Sequence, residues 1–143
     1  MSNVYVVYWS GTGNTQAMAM AIADGAKEAG AEVTVWNVDE ANMEELKKAK
    51  AFAIGCPSMG AEQLEEASME PFMCELDGQI SSKTIALFGS YGWGDGEWMR
   101  DWEKRISEDE ATVLNGEGVI ANNVPSEDVL DDCKTIGRIL AGI

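Results

Sequence analysis

Residues 10–15 read SGTGNT and follow the apolar run VYVVYW at 4–9. Ser10, Thr12, Asn14 and Thr15 each carry a short side chain that can donate a hydrogen bond, while Gly11 and Gly13 let the backbone curl. Between a strand and a helix, such a stretch presents unpaired backbone N–H groups at the positive end of the helix dipole, which suits a phosphate. It suits a polar-capped turn as well. There is no Lys or Arg in it, so it is not a GxxxxGK[ST] loop. Gly11 and Gly13 satisfy G-x-G, but Gln16 stands at the third glycine position of a dinucleotide fingerprint. Asp39, after the second apolar run, could serve as the acid of such a fingerprint and keeps that alternative open.

Two further loops combine glycine with a large side chain. Residues 90–96 read SYGWGDG and set Trp93 between Gly92 and Gly94, with Ser90 and Tyr91 just before. The indole offers a flat face to a planar ligand, or folds down onto the protein as the lid of a turn. Residues 56–62 read CPSMGAE: Met59 next to Gly60 is either a second apolar wall or a plug beneath the loop. A flat heterocycle bearing a phosphate would use all three loops at once.

The elements that must bring them together are written in the hydrophobic pattern. Residues 4–9, 51–56 and 84–89 are nearly all apolar, as strands buried on both faces are. Residues 32–38 are more mixed, which predicts an edge strand, and 111–121 read as a last strand interrupted near Asn115 and Gly116. Helical spacing marks 15–29, 43–48, 64–76 with a break near Pro71, a helix through Trp98, Met99, Trp102 and Ile106, and 126–140 with Ser126 as N-cap. Strands alternating with helices in 143 residues predict a single α/β domain, 1–143: a doubly wound, three-layer, five-stranded parallel sheet. Ligands of such sheets bind beyond the carboxyl ends of the strands, where all three loops fall.

Ten basic and 25 acidic residues give a formal charge of −15, which excludes the basic surface a nucleic-acid binder needs. No segment is long and apolar enough to cross a membrane, and the first residues lack the pattern of a secretory signal, so a cytoplasmic protein is expected. Cys56, Cys74 and Cys133 form no CxxC pair, and without histidine they read as buried free thiols rather than a metal site.

Taken together, SGTGNT after Tyr8 and Trp9, GCPSMG after the third strand and GSYGWGDGEWMRDW after the fourth closely resemble the flavodoxins, above all the short-chain type of anaerobic bacteria. The resemblance runs over essentially the whole chain. It implies strand order 2-1-3-4-5 and one FMN, bound without a covalent bond. It implies a low-potential carrier that shuttles between semiquinone and hydroquinone to pass single electrons between redox proteins, and not an enzyme. By similarity, the backbone of residues 10–15 holds the phosphate, helped by the hydroxyls of Ser10, Thr12 and Thr15 and the amide of Asn14. Met59 and Trp93 cover the two ring faces, and the backbone of Ser90, Tyr91, Gly92, Trp93 and Gly94 meets the pyrimidine edge. Glu62 accepts from flavin N3–H, and the Gly60 carbonyl turns towards N5. Pro57 stands where some relatives carry a hydroxyl residue on the phosphate, with Ser58 one step later, and Ala61 replaces a residue that is commonly polar.

Partners implied are reductases and ferredoxin-dependent enzymes, docking on a rim formed by Glu62, Glu65, Glu66, Asp95, Glu97 and Asp101; a monomer is expected. A small FMN-dependent reductase shares the fold but needs a substrate pocket over the ring, where Trp93 would lie. A receiver domain needs an acidic cluster after the first strand, and residues 9–12 are Trp-Ser-Gly-Thr.

Overall fold

The computed structural model of the chain describes residues 3–143. Strands β1 (Asn3–Tyr8), β2 (Glu32–Asn37), β3 (Ala51–Gly55), β4 (Thr84–Tyr91), β5 (Thr112–Val113) and β6 (Val119–Asn122) alternate with helices α1 (Asn14–Glu28), α2 (Met43–Lys48), α3 (Met69–Leu76), α4 (Glu97–Glu108) and α5 (Glu127–Ala141). All pairings are parallel, and the order is β2-β1-β3-β4-β5. The fifth position is shared. β5 pairs with β4 at Thr84 and Ile85, and β6 pairs with it from Phe88 to Tyr91. The break falls at Asn115 and Gly116, both with left-handed backbone (φ 63° and 79°). The three most apolar strands are the central ones, and β2 is an edge.

Alternation along those strands divides the core in two. Val7, Phe52, Ile54, Ile85 and Leu87 face α2, α3 and α4, where they meet Leu46, Met73, Trp98, Trp102 and Ile106. Val6, Ala53, Ala86 and Phe88 face α1 and α5, against Met18, Ile22, Cys133, Ile136 and Leu140. The second layer is thin because α1 and α5 touch backbone to backbone. A Cβ on Gly25 would overlap the Lys134 carbonyl, and one on Gly137 would overlap the Ile22 carbonyl oxygen.

Pro71 does not break the third helix. The helix begins at Met69, later than its apolar spacing suggests, and Pro71 is its third residue, where an N–H has no intrahelical acceptor to lose. The start is set by Glu65. Its carboxylate accepts from the backbone N–H groups of Ala67, Ser68 and Met69 at 2.8–2.9 Å. Burial pushes the Glu65 pKa up, but those three hydrogen bonds outweigh it and hold the carboxyl below its usual range.

In the last turn of α4, Arg105 binds Asp77 (2.7 Å), which follows α3, and Glu70 (2.9 Å), in the first turn of α3. Asp109 lies beside this group: its Oδ1 accepts from Gly78 N at 3.3 Å, but its Oδ2 is buried without a partner. Burial, then the neighbouring Asp77 carboxylate, push Asp109 up to about 6. A raised carboxyl pKa means that the folded state holds a proton the unfolded chain has released. Stability is therefore lost as pH rises from the ordinary aspartate value towards 6. Asp109→Asn keeps an acceptor for Gly78 and removes the charge. It is expected to stabilise by about 1 kcal/mol at pH 7, after discounting for partial exposure, and by nothing near pH 4. Urea denaturation at the two pH values checks this, and an equal gain at both would contradict it.

Candidate functional site

The three loops leave the carboxyl ends of β1, β3 and β4, and the sheet's hydrogen bonding continues into them. Trp9 N donates to Gly55 O (3.0 Å), Cys56 N to Phe88 O (3.1 Å) and Ser58 N to Ser90 O (2.9 Å). They enclose a cavity of about 260 Å³. Its lining comes from the first loop (Gly11, Thr12, Asn14), the second (Pro57, Ser58, Met59) and the third (Ser90, Tyr91, Gly92). Trp9 and Asn123 complete it. Ser10, Gly13, Thr15, Gly60, Glu62, Trp93 and Gly94 belong to the same loops but do not line this cavity. Larger grooves of about 660 and 670 Å³ lie beside α5; of these loops only Gly96 borders the first, and none borders the second.

In the first loop, Gly13 is the N-cap of α1 with φ 96° and no side-chain cap. Its N–H and that of Gln16 converge on one oxygen, Ser10 Oγ, at 3.1 and 3.3 Å. Two amides thus point at one place, filled by the Ser10 hydroxyl, at a helix N-terminus and without a cation, a setting in which neutral donors suit a phosphate. Thr15 is 1% exposed. Its hydroxyl lies 3.1 Å from Ser90 Oγ and accepts from Ser90 N at 3.3 Å, so it ties the loop to β4.

The second loop closes on itself: Met59 N donates to Gln63 O (2.8 Å) and Gln63 N to Met59 O (2.9 Å). The tip between them holds two left-handed residues, Gly60 and Glu62, both at φ 51°. Glu62 Oε1 accepts from Glu97 N at 3.1 Å, the start of α4. The third loop begins at Gly92, because β4 runs on through Ser90 and Tyr91, which the sequence pattern assigns to the loop. Trp93 stands 63% exposed, not tucked onto the sheet. Half-buried Met59 and Tyr91, next to the neutral donors of the first loop, give a planar ring an apolar bed and its phosphate a polar end.

The flavodoxin family model matches residues 6–136 of the chain. A flavodoxin of Clostridium beijerinckii is 46% identical over 138 residues, 96% of this chain and 99% of that one. A flavodoxin of Megasphaera elsdenii is 42% identical, over 96% and 98% of the two chains. The chain belongs to the flavodoxin family. The solution structure of the two-electron-reduced Megasphaera elsdenii flavodoxin superposes with a TM-score of 0.88 at 41% identity, over 98% of this chain and 99% of that one. As a flavodoxin, the protein binds FMN and carries electrons to and from redox proteins; it is a carrier, not an enzyme.

Two sequence expectations about this flavodoxin need correction. Glu65 is 7% exposed and committed to the start of α3, so it is no part of an exposed rim. Asp95, Glu66, Glu97 and Asp101 are exposed, Asp95 while paired with Arg100 at 3.0 Å, and Glu62 is half-buried. Cys56 and Cys133 are buried, and burial pushes both thiols up to about 12, far from any thiolate role; Cys74 is exposed instead.

The sequence does not mark Trp9 and Asn123 as cavity residues. Asn123 reaches the site because β6 pairs with β4 and its N–H donates to Tyr91 O at 2.8 Å. Its one local signal is the Asn-Asn-Val-Pro turn that follows the last strand. No helix among the described residues is long and apolar enough to cross a membrane.

Proposed function

We propose that this flavodoxin is a low-potential one-electron carrier whose FMN lies across the three loops, and that 1–143 works as one cytoplasmic, monomeric domain. Bound FMN supplies the redox chemistry, and the protein sets its energies. Backbone N–H groups of residues 10–15, with the Ser10 and Thr12 side chains and the Asn14 amide, hold the phosphate. Thr15 fixes that loop against Ser90, while Pro57 and Ser58 close the cavity beside it. Met59 and Trp93 cover the ring faces, and the backbone from Ser90 through Tyr91, Gly92 and Trp93 to Gly94 borders the pyrimidine edge. Glu62, already oriented by Glu97 N–H, accepts from N3–H, and the Gly60 carbonyl accepts a hydrogen bond from N5–H when N5 carries a proton.

The observation that carries this reading is the convergence of Gly13 and Gln16 N–H on one acceptor point in a loop without a cation. Neutral donors hold a phosphate by geometry and leave its charge in place. A further negative charge on the ring would face that phosphate, Glu62 and a protein of formal charge −15. Those repulsions, added to the difficulty of burying an unpaired charge, make the second electron hard to accept and readily given up. Glu62, Glu66, Asp95, Glu97 and Asp101 lie on or next to the 56–62 and 90–96 loops and fit docking by basic faces of reductases and ferredoxin-dependent enzymes.

Spectroelectrochemical titration of the purified protein tests the carrier reading. Flavin absorption with two separated one-electron steps is expected, the second well below that of free FMN. A second step as easy as in free FMN overturns it. Electron transfer to a basic partner is expected to slow as salt rises from about 0.05 to about 0.5 M, over which the Debye length falls from about 14 to about 4 Å. A salt-independent rate would remove the acidic rim from the account.

A further inference from the structure

We propose that Trp98, in the first turn of α4, is a positioning residue for the redox site, holding the root of the 56–62 segment and so setting how the Gly60 peptide is presented. The proposal rests on the FMN reading above and adds a residue that does not itself reach the cavity.

Trp98 is 1% exposed, and its indole Nε1–H donates to the Cys56 carbonyl at 3.1 Å. One residue earlier, the Glu97 backbone N–H donates to the Glu62 carboxylate at 3.1 Å. A single helical turn therefore grips both ends of the segment. Its root is also held to β4, through Cys56 N on Phe88 O and Ser58 N on Ser90 O, and its neck by the reciprocal bonds between Met59 and Gln63. Residues 60–62 remain as the part that can turn, and they include the left-handed Gly60 and Glu62. The Trp98 ring also meets Tyr91, with centroids 5.5 Å apart and planes at 48°, so one side chain braces the second loop against the end of β4, from which the third loop departs.

A buried carbonyl that loses its donor reorients to find another. At Cys56 that reorientation begins four residues before Gly60, in a segment whose other bonds leave only the tip to absorb it. The two orientations of the Gly60 peptide then change in relative energy. The first one-electron couple depends on that difference, because only one orientation offers the carbonyl to N5.

Trp102 is the internal control. It lies one turn further along the same helix, is also 1% exposed, and its Nε1 has no hydrogen-bond partner. Replacing either indole by phenyl keeps an aromatic ring in the core, but only Trp98→Phe removes a bond to the loops.

The test measures FMN dissociation constants and both one-electron potentials for the wild-type holoprotein, Trp98→Phe and Trp102→Phe. Trp98→Phe is expected to change the equilibrium constant of the first couple about threefold or more, about 28 mV on a scale of 59 mV per tenfold. Trp102→Phe is expected to leave both couples where they are. An unchanged first couple in Trp98→Phe, or an equal shift in Trp102→Phe, overturns the proposal. Should Trp98→Phe fail to retain FMN, the indole N–H resonances of the wild-type holoprotein decide. That of Trp98 is expected to move between the oxidised and two-electron-reduced states by more than that of Trp102, and equal movement overturns the proposal. A wild-type protein that does not bind FMN one-to-one would instead bring down the underlying reading, and this proposal with it.

Discussion

Trp93→Ala is expected to weaken FMN binding about 10- to 100-fold while leaving the apoprotein's melting temperature within about 1 °C. The two halves of that result have different origins. Trp93 is 63% exposed and contributes little to the core, so truncation removes few native contacts. Stacking of an aromatic side chain on a heterocycle contributes about 1–3 kcal/mol, and each 1.4 kcal/mol is about tenfold in affinity. Flavin fluorescence quenched on binding gives the dissociation constant, and calorimetry of the apoprotein gives the other half. A variant that melts early and binds normally would mean that Trp93 belongs to the scaffold and not to the ligand.

The second large effect is on folding and lies away from the site. Gly137→Ala is expected to destabilise by about 3 kcal/mol, lowering the melting temperature by about 6–12 °C for a chain of this size. Helix propensity argues the other way, since alanine is better than glycine inside a helix by about 1 kcal/mol. Packing wins because the added Cβ would lie on the Ile22 carbonyl oxygen and 2.7 Å from Ala26 N, which are backbone atoms of α1 that cannot rotate aside. The helices must part, and with them Ile22, Cys133 and Ile136 in the core beneath. Gly25→Ala meets the Lys134 backbone in the same way and should behave alike. The sign of the change in a denaturant titration is decisive: a stabilised Gly137→Ala would mean that the two helices do not cross this closely.

Much of this architecture is legible in the order of residues, because strand and helix signals are local. Residues 4–9, 51–56 and 84–89 declare themselves as central strands through unbroken apolar composition, and the structure puts them at the centre of the sheet. Ser126 announces α5, and its Oγ accepts from Val129 N at 3.2 Å. What the sequence conceals depends on partners distant along the chain. Glu65 reads as one more surface acid among many, yet it is buried because three successive amides leading into the next helix, those of Ala67, Ser68 and Met69, claim its carboxylate. Pro71 reads as a break because the position of the helix start cannot be told from apolar spacing alone. Trp98 reads as one member of an apolar stripe with Trp102, and only the fold distinguishes an indole N–H that meets the Cys56 carbonyl from one that meets nothing. In the site, glycine-rich loops behind strands are visible in advance. The pairing of Thr15 with Ser90 and of Glu62 with Glu97 joins residues 75 and 35 positions apart, and no local pattern encodes it.

The interruption at Asn115 and Gly116 has a consequence for how copies of this protein meet. A sheet edge is a template on which a foreign strand can add, and a long regular edge invites fibrous growth. Here the outer edge consists of a two-residue strand and a four-residue strand set apart by left-handed turns, so an incoming strand finds no continuous register to follow. The opposite edge, β2, runs unbroken for six residues and carries Glu32 and Thr34 outward, with a charge at its first position. A carrier that must diffuse between partners has to stay dispersed, and the kinked outer edge opposes strand addition on that side through backbone geometry.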